Sequence, residues 1–447
     1  MPYIPHTKDD VRRMLAAIGA SSVEELLNAV PSALRTKTPL NVPDGLSEQE
    51  IAQRLKELSL KNSTVEDHSS FLGAGAYNHY IPSTVRALAS RSEFYTAYTP
   101  YQPEVSQGTL QAIFEYQTMV CQLTSMDVAN ASLYDGATAV AEAVLMARRI
   151  TGKKGVLLSR AVHPEYRETV RTYLKEDALA VTEAAFSAET GATLASEVEG
   201  AADDALACVV VQHPNFFGSL EDVASLADVA HKKKALLIIV VNEAVSLGLL
   251  KPPAELGADI AVGEFRSFGN PLNYGGPYLG FMAAKTEFVR QMPGRLIGET
   301  VDKNGRRAFC LTFSTREQHI RRERATSNIC TNHGLCALLA AIHIASLGAT
   351  GVENLARTNL SKAEYLKGRL GSIAGVKIAF SSPTFNEFTV KTDVAGEDVL
   401  KKLLKKRIIG GLNLKGFYPE LASHILVCAT EMNSKKDMDA FIDAVAG

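Results

Sequence analysis

Leu206-Ala207-Cys208-Val209-Val210-Val211-Gln212 and, one helical stretch later, Ala235-Leu236-Leu237-Ile238-Ile239-Val240-Val241 decide the fold. Both are unbroken apolar runs rich in β-branched residues, and neither has a polar face. Strands of that kind are covered on both sides, the condition met by a parallel sheet with helices on each face. Further apolar runs at 131–134, 155–159 and 258–262 are separated mostly by helical patterns, at 138–150, 164–175 and 220–232. The alternation predicts an α/β fold with a mostly parallel sheet. A stretch at 278–284 adds a further strand after a glycine-rich loop.

Outside this block the texture changes. The first sixty residues read as short helices: Thr7 caps a run at 8–18 with Asp9 and Asp10 in its first turn, and Ser47-Glu48-Gln49-Glu50 has capping-box spacing before Ile51, Leu55 and Leu58. Such faces are expected to pack on the main body or on a partner. Polar residues at 61–68 mark a boundary. Past Asn332 comes an apolar helix at 335–344, breaks at Gly348 and Gly351, and a polar-faced helix at 354–370. Strands at 376–380 and 385–391, a helix at 396–406, a strand at 425–429 and a terminal helix complete the chain. The expected division is an N-terminal helical segment at 1–67, a large α/β domain at 68–332 and a small α+β domain at 333–447.

Of the 447 residues, 46% are hydrophobic and 21% charged, and the net charge is −2. That balance gives no reason to expect nucleic acid or an anionic membrane as a partner, and the lysine runs at 232–234 and 401–407 read as solvated helix faces. Six cysteines form no C-x-x-C pair, which reads as reduced thiols in a reducing compartment. No apolar run reaches the ~20 residues of a membrane helix. The N-terminus is neither a signal peptide nor an Arg-rich transit sequence, so the expected location is cytoplasmic. The histidines show no metal-ligand spacing, and no metal is expected.

Two stretches carry candidate chemistry. In Phe94-Tyr95-Thr96-Ala97-Tyr98-Thr99-Pro100-Tyr101-Gln102-Pro103-Glu104-Val105-Ser106-Gln107-Gly108, three tyrosines fall three apart while Pro100 and Pro103 forbid a continuous helix. A helical run at 109–123 follows. The loop thus presents phenols, amides and a carboxylate at a helix mouth, either to a ligand or as an aromatic corner packed under the loop. Asp135-Gly136-Ala137-Thr138 ends a strand and opens a helix, where backbone N–H groups and the Thr138 hydroxyl form either an anion site or a simple N-cap. Gly73-Ala74-Gly75-Ala76 is too short for a dinucleotide fingerprint, which disfavours an NAD-binding dehydrogenase.

The run Tyr98 to Glu104, with Ser106-Gln107-Gly108, resembles the glycine decarboxylase (P-protein) family of the glycine cleavage system. Phe71-Leu72-Gly73-Ala74-Gly75-Ala76-Tyr77-Asn78-His79-Tyr80-Ile81-Pro82, Asp135-Gly136-Ala137-Thr138-Ala139, Gln212-His213-Pro214-Asn215-Phe216-Phe217-Gly218 and Thr326-Ser327-Asn328-Ile329-Cys330-Thr331 fit the same family in the same order. More narrowly, the chain is similar to subunit 1, the N-terminal-half chain of the two-chain form. The resemblance implies the fold-type I architecture of pyridoxal-phosphate (PLP) enzymes, in which a turn like Gly136-Ala137-Thr138 grips the cofactor phosphate and His213 sits at a ring-facing strand end. His163 is either a further relic of that kind or simply the strand-end residue before the helix that Pro164 starts.

PLP needs a lysine for its imine and usually an acid at its pyridine nitrogen. The paired chain of the family carries Lys-Thr-Phe-Ser-Thr-Pro; the matching run here is Arg266-Ser267-Phe268-Gly269-Asn270-Pro271, and a guanidinium cannot form the imine. Where the paired chain shows Asp-Gly-Ala, this one has Asn242-Glu243-Ala244. Gly136, Ala137, Thr138 and His213 are therefore candidates for a vestigial cofactor site only, with PLP held covalently by the partner subunit. The resemblance implies the non-cofactor subunit of a two-chain glycine decarboxylase, an oxidoreductase that releases CO2 from glycine and passes the aminomethyl group to the lipoyl group of H-protein. Expected partners are the lysine-bearing subunit, in an α2β2 assembly, and lipoylated H-protein.

Tyr98, Tyr101, Gln102 and Glu104 are the residues expected to complete the partner's site, with Asn78 and His79 as further candidates. Arg316, Arg321, Arg322 and Asn328, in a basic run that also carries family wording, are candidates to bind a carboxylate or phosphate, or form a solvated helix paired with Glu317 and Glu323. The family usually has lysine at Arg324. Two rivals stand beside this reading: a self-sufficient PLP enzyme using Lys285 or Lys251, and a structural or regulatory pseudo-enzyme.

Overall fold

Alternate residues of the apolar runs sort onto two opposite faces, as strand geometry requires. Leu157, Val209, Val211, Leu237, Ile239 and Ala261 enter one core, and Val156, Leu158, Val210, Ile238, Val240 and Val262 enter the other. The structure, a computed structural model, describes residues 5–36, 38, 40–95 and 99–447. It divides into two compact units, Met1–Ser63 and Thr64–Gly447.

The central sheet of the second unit contains β1 (Val128–Ala129), β2 (Gly155–Ser159), β3 (Val181–Ala184), β4 (Leu206–Gln212), β5 (Leu236–Val241), β6 (Ile260–Glu264) and β7 (Gly280–Ala284). Their order is β1-β7-β6-β5-β4-β2-β3, with β2 to β6 parallel and β7 antiparallel to both β6 and β1. Two expected strands are corrected. The strand expected at 131–134 lies earlier, because Ser132 at φ 134° leaves the extended region and Leu133 keeps only a single bridge to Gly280. The one expected at 258–262 starts at Ile260, since the Asp259 side chain instead accepts from Leu237 N–H at 2.8 Å and pairs with Lys285.

A hairpin of β8 (Leu296–Val301) and β9 (Arg307–Thr312) packs Ile297 and Phe309 on Leu110 and Ile113 of the Gln107–Thr124 helix. The long helix Gly334–Leu370 is broken at Gly348, which takes φ 61°, while Gly351 stays helical. By length and composition it is apolar enough to cross a membrane, yet Cys336, Ala337, Ala340, Ala341 and Ile344 belong to the core. A second sheet, β10 (Val376–Ile378), β11 (Glu387–Thr392), β12 (Leu412–Asn413) and β13 (His424–Cys428), runs β10-β11-β13-β12, all antiparallel. Ser69–Ser70 pairs in parallel with Ile408–Ile409 beside it. In the first unit, helices Lys8–Ala17 and Glu48–Ser59 carry the capping boxes Thr7/Asp10 and Ser47/Glu50.

Candidate functional site

In an open parallel sheet, ligands bind beyond the carboxyl ends of the strands. Here that edge presents His163 after β2, His213 after β4, Asn242 and Glu243 after β5, and Arg266 after β6. The segment from Phe71 to Tyr80 is bonded into it from both sides. Ala74 accepts from His163 Nε2 at 3.0 Å and donates its N–H to Glu387 Oε1 at 2.6 Å. Tyr77 donates its hydroxyl to Glu387 Oε2 at 2.7 Å, and its carbonyl accepts from Arg266 Nη2. Thr430 donates to the carbonyl of Asn78 at 2.7 Å. Gly75, at φ 94°, presses on His163 and Asn242: a Cβ there would stand 3.3 Å from His163 Cδ2 and 3.5 Å from Asn242 Nδ2.

The electrostatics follow from burial. His79 lies between Glu243 and Glu431, 2.9 Å from each. Burial alone would pull its pKa down, but the two carboxylates outweigh that and hold the imidazolium to about 9. Against its own burial, Glu431 is lowered to about 2 by His79, the Tyr80 N–H and Asn359. His79 is thus a buried ionic hub. Burial drops His163 and His213 to about 4, and each uses Nδ1 to accept a backbone N–H, from Glu165 and Glu221. Arg266, 2% exposed, is lowered by burial and lies 5.4 Å from the centre of the Tyr278 ring.

At the turn expected to hold an anion, the chain supplies its own. Gly136 N–H donates to Glu264 Oε2 at 2.9 Å, and Leu279 N–H donates to Glu264 Oε1 at 2.6 Å. Thr138 N–H is satisfied by Asp135 at 2.8 Å in a capping box, while Ala137 lines the adjoining cavity. A Cβ on Gly136 would overlap the Tyr166 hydroxyl. Burial raises Glu264 to about 7, and Glu387 likewise to about 7. The cavity in front, of about 390 Å³, is lined by Tyr134, Asp135, His163, Glu165, Glu264 and Tyr278 among others, and its three acidic side chains disfavour a phosphate. Arg266 offers no amine for an imine, and the Asn242 amide, with no partner among the described residues, offers no charge to a pyridinium. These residues do not fit PLP. Lys285 sits at the opposite edge of the sheet, bonded to Asp259 ahead of β6.

The tyrosine loop is built differently. Tyr98 lies outside the described residues; Tyr95, Tyr101, Gln102 and Glu104 are exposed. Gln107 clamps the far end of the loop to β9, donating to Phe309 O at 2.8 Å and accepting from Phe309 N–H at 2.9 Å. At the near end, Tyr101 Oη accepts from Arg295 Nη2 at 3.2 Å. A cavity of about 200 Å³ opens alongside, lined by Phe94, Tyr95, Thr99, Pro100, Arg295 and Leu335. The basic run does not converge on one point. Arg316 donates to the carbonyls of Phe313 and Gly294, each at 3.1 Å, while Arg321, Arg322, Arg324 and Asn328 are exposed. Arg295, Glu264, Glu387 and Glu431 escaped the sequence reading. Only Glu264, a carboxylate ending an apolar strand, left a signal there.

The sequence profile of the glycine cleavage system P-protein family matches residues 1–445. The chain belongs to this family. It is 51% identical over 442 residues to a protein of Desulfitobacterium hafniense named "Probable glycine dehydrogenase (decarboxylating) subunit 1", covering 99% of this chain and 98% of the relative. It superposes on a crystal structure of glycine decarboxylase (P-protein) of the glycine cleavage system, in inhibitor-bound form, with a TM-score of 0.91 and 43% identity, over 100% of this chain and 99% of that one. A sphingosine-1-phosphate lyase of Burkholderia pseudomallei, 16% identical with a TM-score of 0.66 over 93% of each chain, shares the fold alone. The architecture is the fold-type I arrangement expected from the P-protein words.

Proposed function

We propose that this chain is the lysine-less subunit of a two-chain glycine decarboxylase and completes the pocket of a partner that holds PLP covalently. One observation carries the reading: at the position matched to the family's lysine stands Arg266, buried and bonded to the Tyr77 carbonyl. The partner is the lysine-bearing subunit in an α2β2 assembly, glycine is the substrate, and lipoylated H-protein receives the aminomethyl group after CO2 leaves.

This chain's part is positional. The exposed Tyr101, Gln102 and Glu104, together with Tyr98, complete the partner's pocket, where the rings exclude water and the amide and carboxylate orient polar groups. Asn78 and His79 act one step back: bonded through Thr430, Glu243 and Glu431, they fix the segment that leads to the loop. Arg321, Arg322 and Asn328 are exposed for a carboxylate or phosphate, while Arg316 braces the backbone beside them. Gly136, Ala137, Thr138 and His213 remain as the trace of a cofactor site now satisfied by the chain itself. In this reading the chain works as three parts, at 1–67, 68–332 and 333–447.

The test is reconstitution. Purified alone with PLP, the chain should release no CO2 from carboxyl-labelled glycine. Mixed with the lysine-bearing subunit and lipoylated H-protein, it should raise that subunit's rate by orders of magnitude. Decarboxylation by the isolated chain would overturn the proposal.

A further inference from the structure

We infer that Arg295 is a positioning residue: it sets the orientation of Tyr101 and thereby the shape of the loop at 99–106. The use of that loop in turnover rests on the function proposed above, whereas the positioning itself does not.

Arg295 is 4% exposed, directly ahead of β8, and a buried guanidinium is stable only when its charge and donors are met. Its partners come from three separate stretches. Nη2 donates to Tyr101 Oη and to the Cys330 carbonyl, each at 3.2 Å. Nη1 reaches Asn332 Oδ1 at 3.5 Å, and Nε stands 3.9 Å from Glu317 Oε2, whose charge balances the cation. The guanidinium carbon is 5.3 Å from the Tyr101 ring centre, within cation–π range. The backbone beneath is fixed as well, since Ala131 N–H donates to Arg295 O at 2.8 Å and Asn332 Nδ2 donates to Ala131 O at 3.2 Å.

Two consequences follow. Because the guanidinium only donates, Tyr101 Oη must accept from it, so the phenol proton points away from Arg295. And while Gln107 holds the loop at the Pro103 carbonyl and at β9, Arg295 is a side-chain anchor at Tyr101, next to the 200 Å³ cavity. A lysine keeps the charge for Glu317 but loses the fork that spans Tyr101, Cys330 and Asn332.

The experiment has two arms. In the isolated chain, amide hydrogen exchange is compared for wild type, Arg295→Lys and Tyr101→Phe. Exchange across 99–106, which includes the bonded amides of Tyr101, Val105 and Ser106, should rise several-fold in both variants, while Leu206–Gln212 stays protected. Unchanged exchange at 99–106 in both variants would overturn the inference. Should Arg295→Lys not fold, Tyr101→Phe decides through the same amides. In the reconstituted pair, each single variant should lower kcat/KM for glycine about tenfold, and the double variant by about the same tenfold, not a hundredfold. Additive losses would mean that Arg295 acts independently of Tyr101, and the inference fails. If exchange rises while turnover in the pair is untouched, the positioning stands and the proposed use of the loop falls.

Discussion

Arg266 and Arg295 are both nearly inaccessible to water, and the regions around them differ in where their polar groups point. Around Arg266 they turn inward: Arg266 binds Tyr77, Glu387 binds Ala74 and Tyr77, Glu264 binds Gly136, and His79 is held by two carboxylates. Around Arg295 one arginine braces a loop whose next side chains, Gln102 and Glu104, remain exposed. Buried polar groups must be satisfied whether or not a ligand is present. A cleft that meets most of its own requirements, the Asn242 amide and Arg266 Nε excepted, has little left for a cofactor, and an edge that keeps polar groups exposed has something left for a partner. The contrast is therefore between a region that now serves stability and one that serves a shared site.

The inward region should show the largest effect on stability. His79→Leu leaves the buried Glu243 and the partly buried Glu431 without their cation, and should cost about 3–5 kcal/mol in urea unfolding of the isolated chain. A loss below about 1 kcal/mol would break the contrast.

The same region should set the pH dependence, and the sign can be worked out. Glu264 and Glu387 are raised from 4.5 to about 7, so the folded state favours their protonated forms; that contribution is complete below 4.5 and is lost as pH rises through 7. His79 is raised from 6.5 to about 9, so its contribution is complete below 6.5 and is lost through 9. Glu431, lowered to about 2, contributes above 4.5 and loses its effect as pH falls towards 2. His163 and His213, lowered from 6.5 to about 4, contribute fully above 6.5 and lose that as pH falls through 4, which opposes the two glutamates. The wild-type profile should therefore be shallow between pH 5 and 7 and fall by roughly a few kcal/mol from there towards pH 9. The double variant Glu264→Gln/Glu387→Gln should rise more steeply with pH between 5 and 7 than wild type. A double variant whose slope over that range equals the wild type's would contradict the assignment.

The outward region should behave in the opposite way. Gln102→Ala with Glu104→Ala should leave unfolding within about 0.5 kcal/mol of wild type, while lowering kcat/KM of the reconstituted pair by about tenfold. The smallest effect sharpens the boundary of the region: Arg324→Ala, at an exposed position, should change stability by less than about 0.5 kcal/mol.

The contrast also shows what a sequence can and cannot convey. The strands at 155–159 and 206–212 were legible to the residue, because a continuous apolar run has one way to be covered on both faces. The caps at Thr7 and Ser47 were legible for a similar local reason. Arg266 and Asn242 stood out through the family's motif, since composition alone gives an arginine and an asparagine no meaning. Their surroundings were not legible: Glu387 meets Ala74 across 313 residues, and Glu431 meets His79 across 352. Arg295, in Pro293-Gly294-Arg295-Leu296, reads as a turn cation; its partners include Tyr101, 194 residues away. Ser132 and the hairpin of β8 and β9 escaped for a related reason, because partners in distant segments and not local pattern set their backbone.

The central claim concerns which polypeptide holds the cofactor. Borohydride reduction of the isolated chain with PLP, and of the reconstituted pair, followed by peptide mass mapping, would locate every covalently attached pyridoxyl group. The account predicts none on any lysine of this chain in either sample, and one on the partner in the pair. A reduced pyridoxyl group on a lysine of this chain, Lys285 and Lys251 included, would contradict it.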